Sequence, residues 1–131
     1  QIAIYTNDDN EYYDYDYYPY DYDSYYNGTY KKNKYDALTV LNSHVSVCSG
    51  YANLFAALGR AAHLRVAVIH GKGVTTLVTG AHAWNEVFID NEWKSVDVTW
   101  DDMKVLRYNY FLQTEEEFSK DHLEREVRAG Y

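Results

Sequence analysis

From Tyr35 onward apolar and polar positions repeat with two periods, and these mark out the elements. Asp36-Ala37-Leu38-Thr39-Val40-Leu41 reads as a short helix. Tyr51, Leu54, Phe55, Leu58 and Ala62 recur at helical spacing and predict a helix over 49–63 with one apolar stripe. Ser46 to Ser49 supply its start signals, and Gly59 sits near its end. Arg65 to Ile69 (RVAVI) predicts a strand, and His70-Gly71-Lys72-Gly73 predicts a turn. Val74 to Val78 reads either as a further strand or as a loop arm. His82 to Ile89 and Trp93 to Val98 alternate with period two and predict two strands joined by an Asp90-Asn91 hairpin turn. Tyr108 to Leu112 predicts a last strand, and Thr114 with Glu117 a capping box that opens a C-terminal helix.

Residues 8–30 have a different texture. They form a low-complexity Tyr/Asp tract, interrupted by Pro19 and by an Asn27-Gly28 turn signal. Of the 16 tyrosines, 12 fall in residues 1–35. The chain of 131 residues is one domain by length. It divides into a Tyr/Asp-rich N-terminal segment, 1–34, packed on or beside a core formed by 35–131. The tract is expected to be a solvated loop with its tyrosines partly on the domain surface. A sharper alternative is a Tyr-lined shelf that holds a substrate chain by stacking and hydrogen bonding. Calcium binding by its aspartates lacks a loop signature.

Charge sharpens this division. The formal net charge is −8, which argues against a nucleic-acid partner held through phosphates. Residues 1–30 hold seven acids and no Lys or Arg, which leaves 12 basic and 13 acidic side chains for the rest. The acidity therefore belongs to the tract, and the body is nearly neutral. No apolar run is long enough for a transmembrane helix. The single cysteine rules out an internal disulfide framework and a cysteine-rich zinc site. A free thiol fits a reducing cytosol and a secreted thiol enzyme equally well. The acidic tract leans the expectation towards an extracellular or surface setting, and the start at Gln1 is consistent with a removed leader. Oligomeric state is not legible.

Cys48 falls at the mouth of the predicted long helix. Unpaired N–H groups and a partial positive charge there favour thiolate over thiol and suit an oxyanion. Alone, such a cysteine is more often a small buried hydrophobe. The hairpin adds to it. With Asp90-Asn91 as the turn, Ile89 faces Glu92, Phe88 faces Trp93 and Trp84 faces Asp97. His82, Trp84, Glu86 and Phe88 then share a face with Trp93, Ser95, Asp97 and Thr99. Asp97 becomes a diagonal neighbour of His82, within reach of a carboxylate–imidazole hydrogen bond. A three-residue loop would destroy that parity. A thiol needs an imidazole to take its proton, and the imidazole needs a carboxylate to fix its tautomer. Cys48, His82 and Asp97 are therefore the expected catalytic set. A zinc site drawing on His44, Cys48, His70, His82 and Asp97 is the rival, disfavoured because no paired His or Cys motif is present. His63 and His122 are expected at helix ends, without a catalytic role. Asp101-Asp102 reads as a solvated turn.

Three segments carry a family resemblance. Val45-Ser46-Val47-Cys48-Ser49-Gly50-Tyr51-Ala52 resembles the nucleophile segment of the transglutaminase-like superfamily. Gly80-Ala81-His82-Ala83-Trp84-Asn85-Glu86-Val87 resembles its His-Ala-Trp-Asn-x-Val segment, and Trp93-Lys94-Ser95-Val96-Asp97-Val98-Thr99-Trp100-Asp101-Asp102 its Trp-x-x-Val-Asp-x-Thr-Trp-Asp segment. Gly71 fits the glycine after the family's central strand, and Tyr108-Asn109-Tyr110-Phe111-Leu112 its Tyr-x-Tyr-Phe element. The resemblance covers roughly 35–122.

The resemblance implies an α+β, papain-like transglutaminase-core fold, with a nucleophile helix packed on an antiparallel sheet. It implies Cys48 as nucleophile, His82 as general base and acid, and Asp97 as orienting acid. The Cys48 backbone N–H would serve the oxyanion hole, with the second donor unassigned. Trp84, Trp100 and Tyr51 would line the substrate cleft. The implied reaction is acyl transfer at a protein or peptide amide through a thioester, without cofactor or metal. Hydrolysis is the first expectation, glutamine transamidation the second, and a non-catalytic peptide-binding domain the reading from a different class. The short domain, without calcium-site or β-sandwich extensions, favours a small bacterial-type or accessory domain.

Overall fold

The computed structural model describes residues 4–5, 37–77, 79–102 and 105–129. The Tyr/Asp tract, with the proposed tyrosine shelf, lies outside the described residues. In chain order the elements are β1 (Ile4–Tyr5), α1 (Ala37–Ser43), β2 (Val45–Ser46), α2 (Cys48–Ala61), β3 (Arg65–Val74), β4 (Thr79–Ile89), β5 (Glu92–Val96), α3 (Val98–Asp101), α4 (Glu115–Phe118) and β6 (His122–Ala129). Strands β3 to β6 form an antiparallel sheet in the order β5-β4-β3-β6. The short β1 pairs in parallel with β2. The architecture is α+β.

Helix α2 covers one face of the sheet. Its N-terminal half buries Cys48, Tyr51, Ala52, Leu54 and Ala56, while Leu58 and Ala62 emerge into solvent. Cys48, Ala52 and Ala56 pack on Val66, Val68, Ala83, Val87 and Val96. Small residues on the helix let its backbone approach the β-branched sheet surface closely. Asn85 locks that approach: its side-chain amide donates to Ala52 O at 2.9 Å and to Ala67 O at 3.1 Å. The opposite face buries Ala67, Ile69, Trp84 and Phe118, with Trp93 and Tyr110 against them.

The hairpin forms with the expected register: Ile89 opposite Glu92, Phe88 opposite Trp93, Glu86 opposite Ser95. Asp90 and Asn91 both adopt positive φ, 51° and 66°, the backbone that a two-residue hairpin turn requires.

Three expectations are corrected. The predicted turn at His70-Gly71-Lys72-Gly73 is the second half of β3. Its glycines make room for neighbouring backbone and rings rather than turning the chain. A Cβ on Gly71 would press on the backbone carbonyl of Leu123 in β6 and lie 2.5 Å from Trp84 Cη2, and one on Gly73 would lie 2.8 Å from Trp100 Cζ2. The chain turns later, beyond Val74, so residues 75–77 are loop. Tyr108 to Leu112 runs beside β5 without becoming a strand. Tyr110 O accepts the Asp97 N–H and Gln113 bridges Ser95, but Leu112 at φ 55° breaks the extended path. The capping box at Thr114 and Glu117 is present, yet its helix ends at Phe118. The chain then enters β6, an edge strand with a mostly exposed surface.

Candidate active site

Strand β5 stops at Val96, opposite Asn85, so among the described residues the rest of β4 has no strand neighbour on that side. Cys48, His82 and Asp97 meet there. Cys48 is the first residue of α2 and is 2% exposed. The expected serine cap is not formed. Val47 is the N-cap, no side chain among the described residues caps the helix there, and Ser46 Oγ donates to Val47 O. The start of α2 therefore keeps the character that favours an anion.

Asp97 leaves the strand rather than continuing it, and becomes the N-cap of α3. Its Oδ1 accepts the Trp100 N–H at 3.1 Å. Its Oδ2 lies 2.5 Å from His82 Nε2. Parity put Asp97 on the right side, and the turn into α3 brings the carboxylate to the ring. With Nε2 engaged by Asp97, Nδ1 is the ring nitrogen left for Cys48, which hydrogen-bonds His82.

Burial alone would lower the His82 pKa. The Asp97 charge and hydrogen bond, with a further contribution from Cys48, outweigh it and raise the pKa to about 10. Burial would likewise raise the Asp97 pKa. The His82 charge and the hydrogen bonds from His122 and His82 reverse that and hold it below the ordinary carboxylate range. A charged imidazolium–carboxylate pair is thus the stable form at neutral pH.

Aromatic rings enclose the pair. Trp100 stacks on His82 with centroids 4.8 Å apart, and is half-buried. Trp84 lies 6.2 Å from His82 but is only 3% exposed. Tyr51 is 1% exposed and its hydroxyl donates to Asp102 Oδ2 at 2.6 Å. Of the three residues expected to line a cleft, Trp84 and Tyr51 are core beneath the site, and Trp100 alone keeps an open edge. Asp101 and Asp102 are buried, not a solvated turn: Asp101 accepts the Tyr110 N–H and Asp102 accepts from Tyr51.

The residue that sequence reasoning missed is His122. It is not at a helix end but opens β6, where its buried Nε2 lies 2.9 Å from Asp97 Oδ2. His63 does follow a helix, at φ 65° beyond α2, and is exposed. His44 is exposed, and His70, half-buried on β3, feels the charge of His82 without belonging to the cluster of ligand-type atoms. The ligand-type atoms of His82, Asp97 and His122 all lie within 4.8 Å of one another. The 2.5 and 2.9 Å separations are those of shared protons. Two ligands about 2 Å from a tetrahedral zinc would stand roughly 3.3 Å apart.

A family model described as transglutaminase-like superfamily matches residues 6–98. The matched span includes the Tyr/Asp tract and all three expected catalytic residues. A solved structure titled "Crystal structure of a TGase" is similar at 22% identity and a TM-score of 0.43, over 68% of this chain. The alignment spans 21% of that longer chain. No curated protein matches the chain. Among the described residues no helix is long and apolar enough to cross a membrane.

Proposed function

Since the chain belongs to the transglutaminase-like superfamily, we propose that it performs cysteine-dependent acyl transfer at an amide of a protein or peptide, with Cys48, His82 and Asp97 as the catalytic set. The observation that carries the reading is the buried His82–Asp97 pair, 2.5 Å apart, hydrogen-bonded onward to the cysteine that opens α2.

Cys48 Sγ attacks the amide carbonyl, and the oxyanion is held by the Cys48 backbone N–H. His82, held protonated by Asp97, gives its proton to the leaving amine as the C–N bond breaks. A thioester remains. Water then attacks it, His82 takes the proton of that water, and Cys48 leaves as thiolate. An acceptor amine in place of water turns hydrolysis into transamidation. Hydrolysis is proposed first because water needs no acceptor pocket. Trp100, half-buried with its ring face stacked on His82, is the proposed contact for substrate.

The test is the rate of Cys48 alkylation by iodoacetamide across pH. Wild type is expected to react fast well below pH 8, and His82→Ala to move the profile towards an ordinary thiol near pH 8.5. A wild-type profile already centred near 8.5 and indifferent to His82→Ala would remove the enzyme reading and favour a peptide-binding domain. Incubating active protein with peptide and excess primary amine then separates the two outcomes, since only transamidation leaves amine in the product.

A further inference from the structure

We propose that His122 is a positioning residue for this site: it holds the Asp97 carboxylate turned to His82, and Asp121 in turn fixes the His122 ring. The inference rests on the thiol–imidazole reading above and names a part that neither the motifs nor the family match supplies, since the matched span ends at residue 98.

The His122 side chain has no exposed surface. Its Nε2 faces Asp97 Oδ2 at 2.9 Å and its Nδ1 faces Asp121 Oδ1 at 2.7 Å. Asp121 is itself anchored, because Tyr110 Oη donates to its Oδ2 at 2.9 Å. Burial, then the bond to Asp121, push the Tyr110 hydroxyl up to about 12, so it stays a donor throughout the working range. The ring cannot swing. Phe118 stacks on it at 3.7 Å, Trp84 meets it edge-on at 4.9 Å, and Trp100 packs at 4.5 Å. Without His122 the carboxylate would keep the Trp100 N–H on Oδ1 but only His82 on Oδ2. With His122 on Oδ2 and the Trp100 N–H on Oδ1, Asp97 is fixed in the plane His82 needs. The groups facing Asp97 are Cys48 through His82 from α2, His82 from β4, Asp101 and the Trp100 N–H from α3, Tyr110 O from the loop, and His122 from β6.

The experiment compares the pH profile of Cys48 alkylation in wild type, His122→Phe, His122→Gln and Asp121→Asn, each checked for folding by circular dichroism. Phe keeps an aromatic ring and loses the donor. Gln keeps an N–H where Nε2 stands. With Asp97 loosened the imidazolium is less favoured and less thiolate forms. The acidic limb of the profile is therefore expected to move up by about one pH unit in His122→Phe. His122→Gln should return most of that shift, and Asp121→Asn should show a smaller one in the same direction. If His122→Phe does not fold, Asp121→Asn decides, because its side chain is 30% exposed and tolerates the change. Variants that lose stability while the limb stays in place, or moves down, overturn the positioning role and leave the thiol–imidazole pair standing. A wild-type profile without dependence on His82 overturns both.

Discussion

Strand β6 reaches two buried acidic groups, Asp97 and Glu86, and holds them with partners of opposite exposure. His122 and Asp97 have no exposed side-chain surface. Arg125 grips Glu86 with both Nε and Nη2, a fork geometry that suits a carboxylate, yet the Arg125 side chain is 46% exposed. The better-shaped pair is the weaker one. Glu86 is itself 8% exposed, but water reaches the Arg125 end and screens the pair, so it contributes about 1 kcal/mol. The Asp97 cluster stands where a missing partner leaves a buried charge uncompensated. Geometry alone therefore does not rank the two; burial does. The buried pair is also costly to desolvate, which makes it a poor device for stability and a good one for fixing protonation states.

The largest effect should come from Asp97→Asn, which keeps the shape and removes the charge. Acyl transfer is expected to fall by about 10⁴-fold, measured as thioester formation in a single turnover. A loss smaller than roughly tenfold would mean the carboxylate is structural only.

Gly73→Ala comes next. Its Cβ would press on Trp100 at 2.8 Å and on His82 Cγ at 3.2 Å, an overpacking expected to cost about 1–3 kcal/mol in urea unfolding. It should also slow alkylation of Cys48, because the ring it displaces is His82. An unchanged unfolding midpoint would show that the rings have room to spare.

The pH dependence of stability follows with a definite sign. His82 is raised from 6.5 to about 10 on folding, so its contribution is complete below pH 6.5 and is lost as pH rises towards 10. Asp97 is lowered from 3.8, so its contribution is complete above that value and is lost as pH falls through the folded pKa. Urea midpoints should therefore drop between pH 7 and 10 in wild type. Asp97→Asn should flatten that drop; equal slopes in the two proteins would contradict the pairing.

Glu86→Gln should do least: a loss of about 0.5 kcal/mol, shrinking in high salt, with the alkylation profile unmoved. A loss of several kcal/mol would place this pair on the same footing as the buried one and dissolve the contrast.

The contrast also marks what could be read in the sequence. The Asp90-Asn91 register and the first half of the α2 stripe were legible because both are local: a turn dipeptide and a period decide them. They were enough to bring His82 and Asp97 to one side. Strand β6 was not legible. It lies at the sheet edge, and Leu123 to Arg128 are all exposed, so no burial imposes alternation. The capping box at Thr114 and Glu117 pointed to a C-terminal helix instead. Bulges between Val68 and Ile69 and between His70 and Lys72 shift the pairing further from a simple pattern. Gly71 and Gly73 misled for a related reason. Their lack of a side chain serves Trp84 and Trp100, which come from other elements. His122 depends on all of this, and so its place beside Asp97 had no local signal.

Strand β6 follows every other described element in the chain, yet it lies beside β3 within the sheet. A ribosome releases Cys48, His82 and Asp97 before His122. At about 5–20 residues per second, the nascent chain carries its thiol for seconds before the last histidine can dock. Completion of the sheet and the docking of His122 beside Asp97 are then one event.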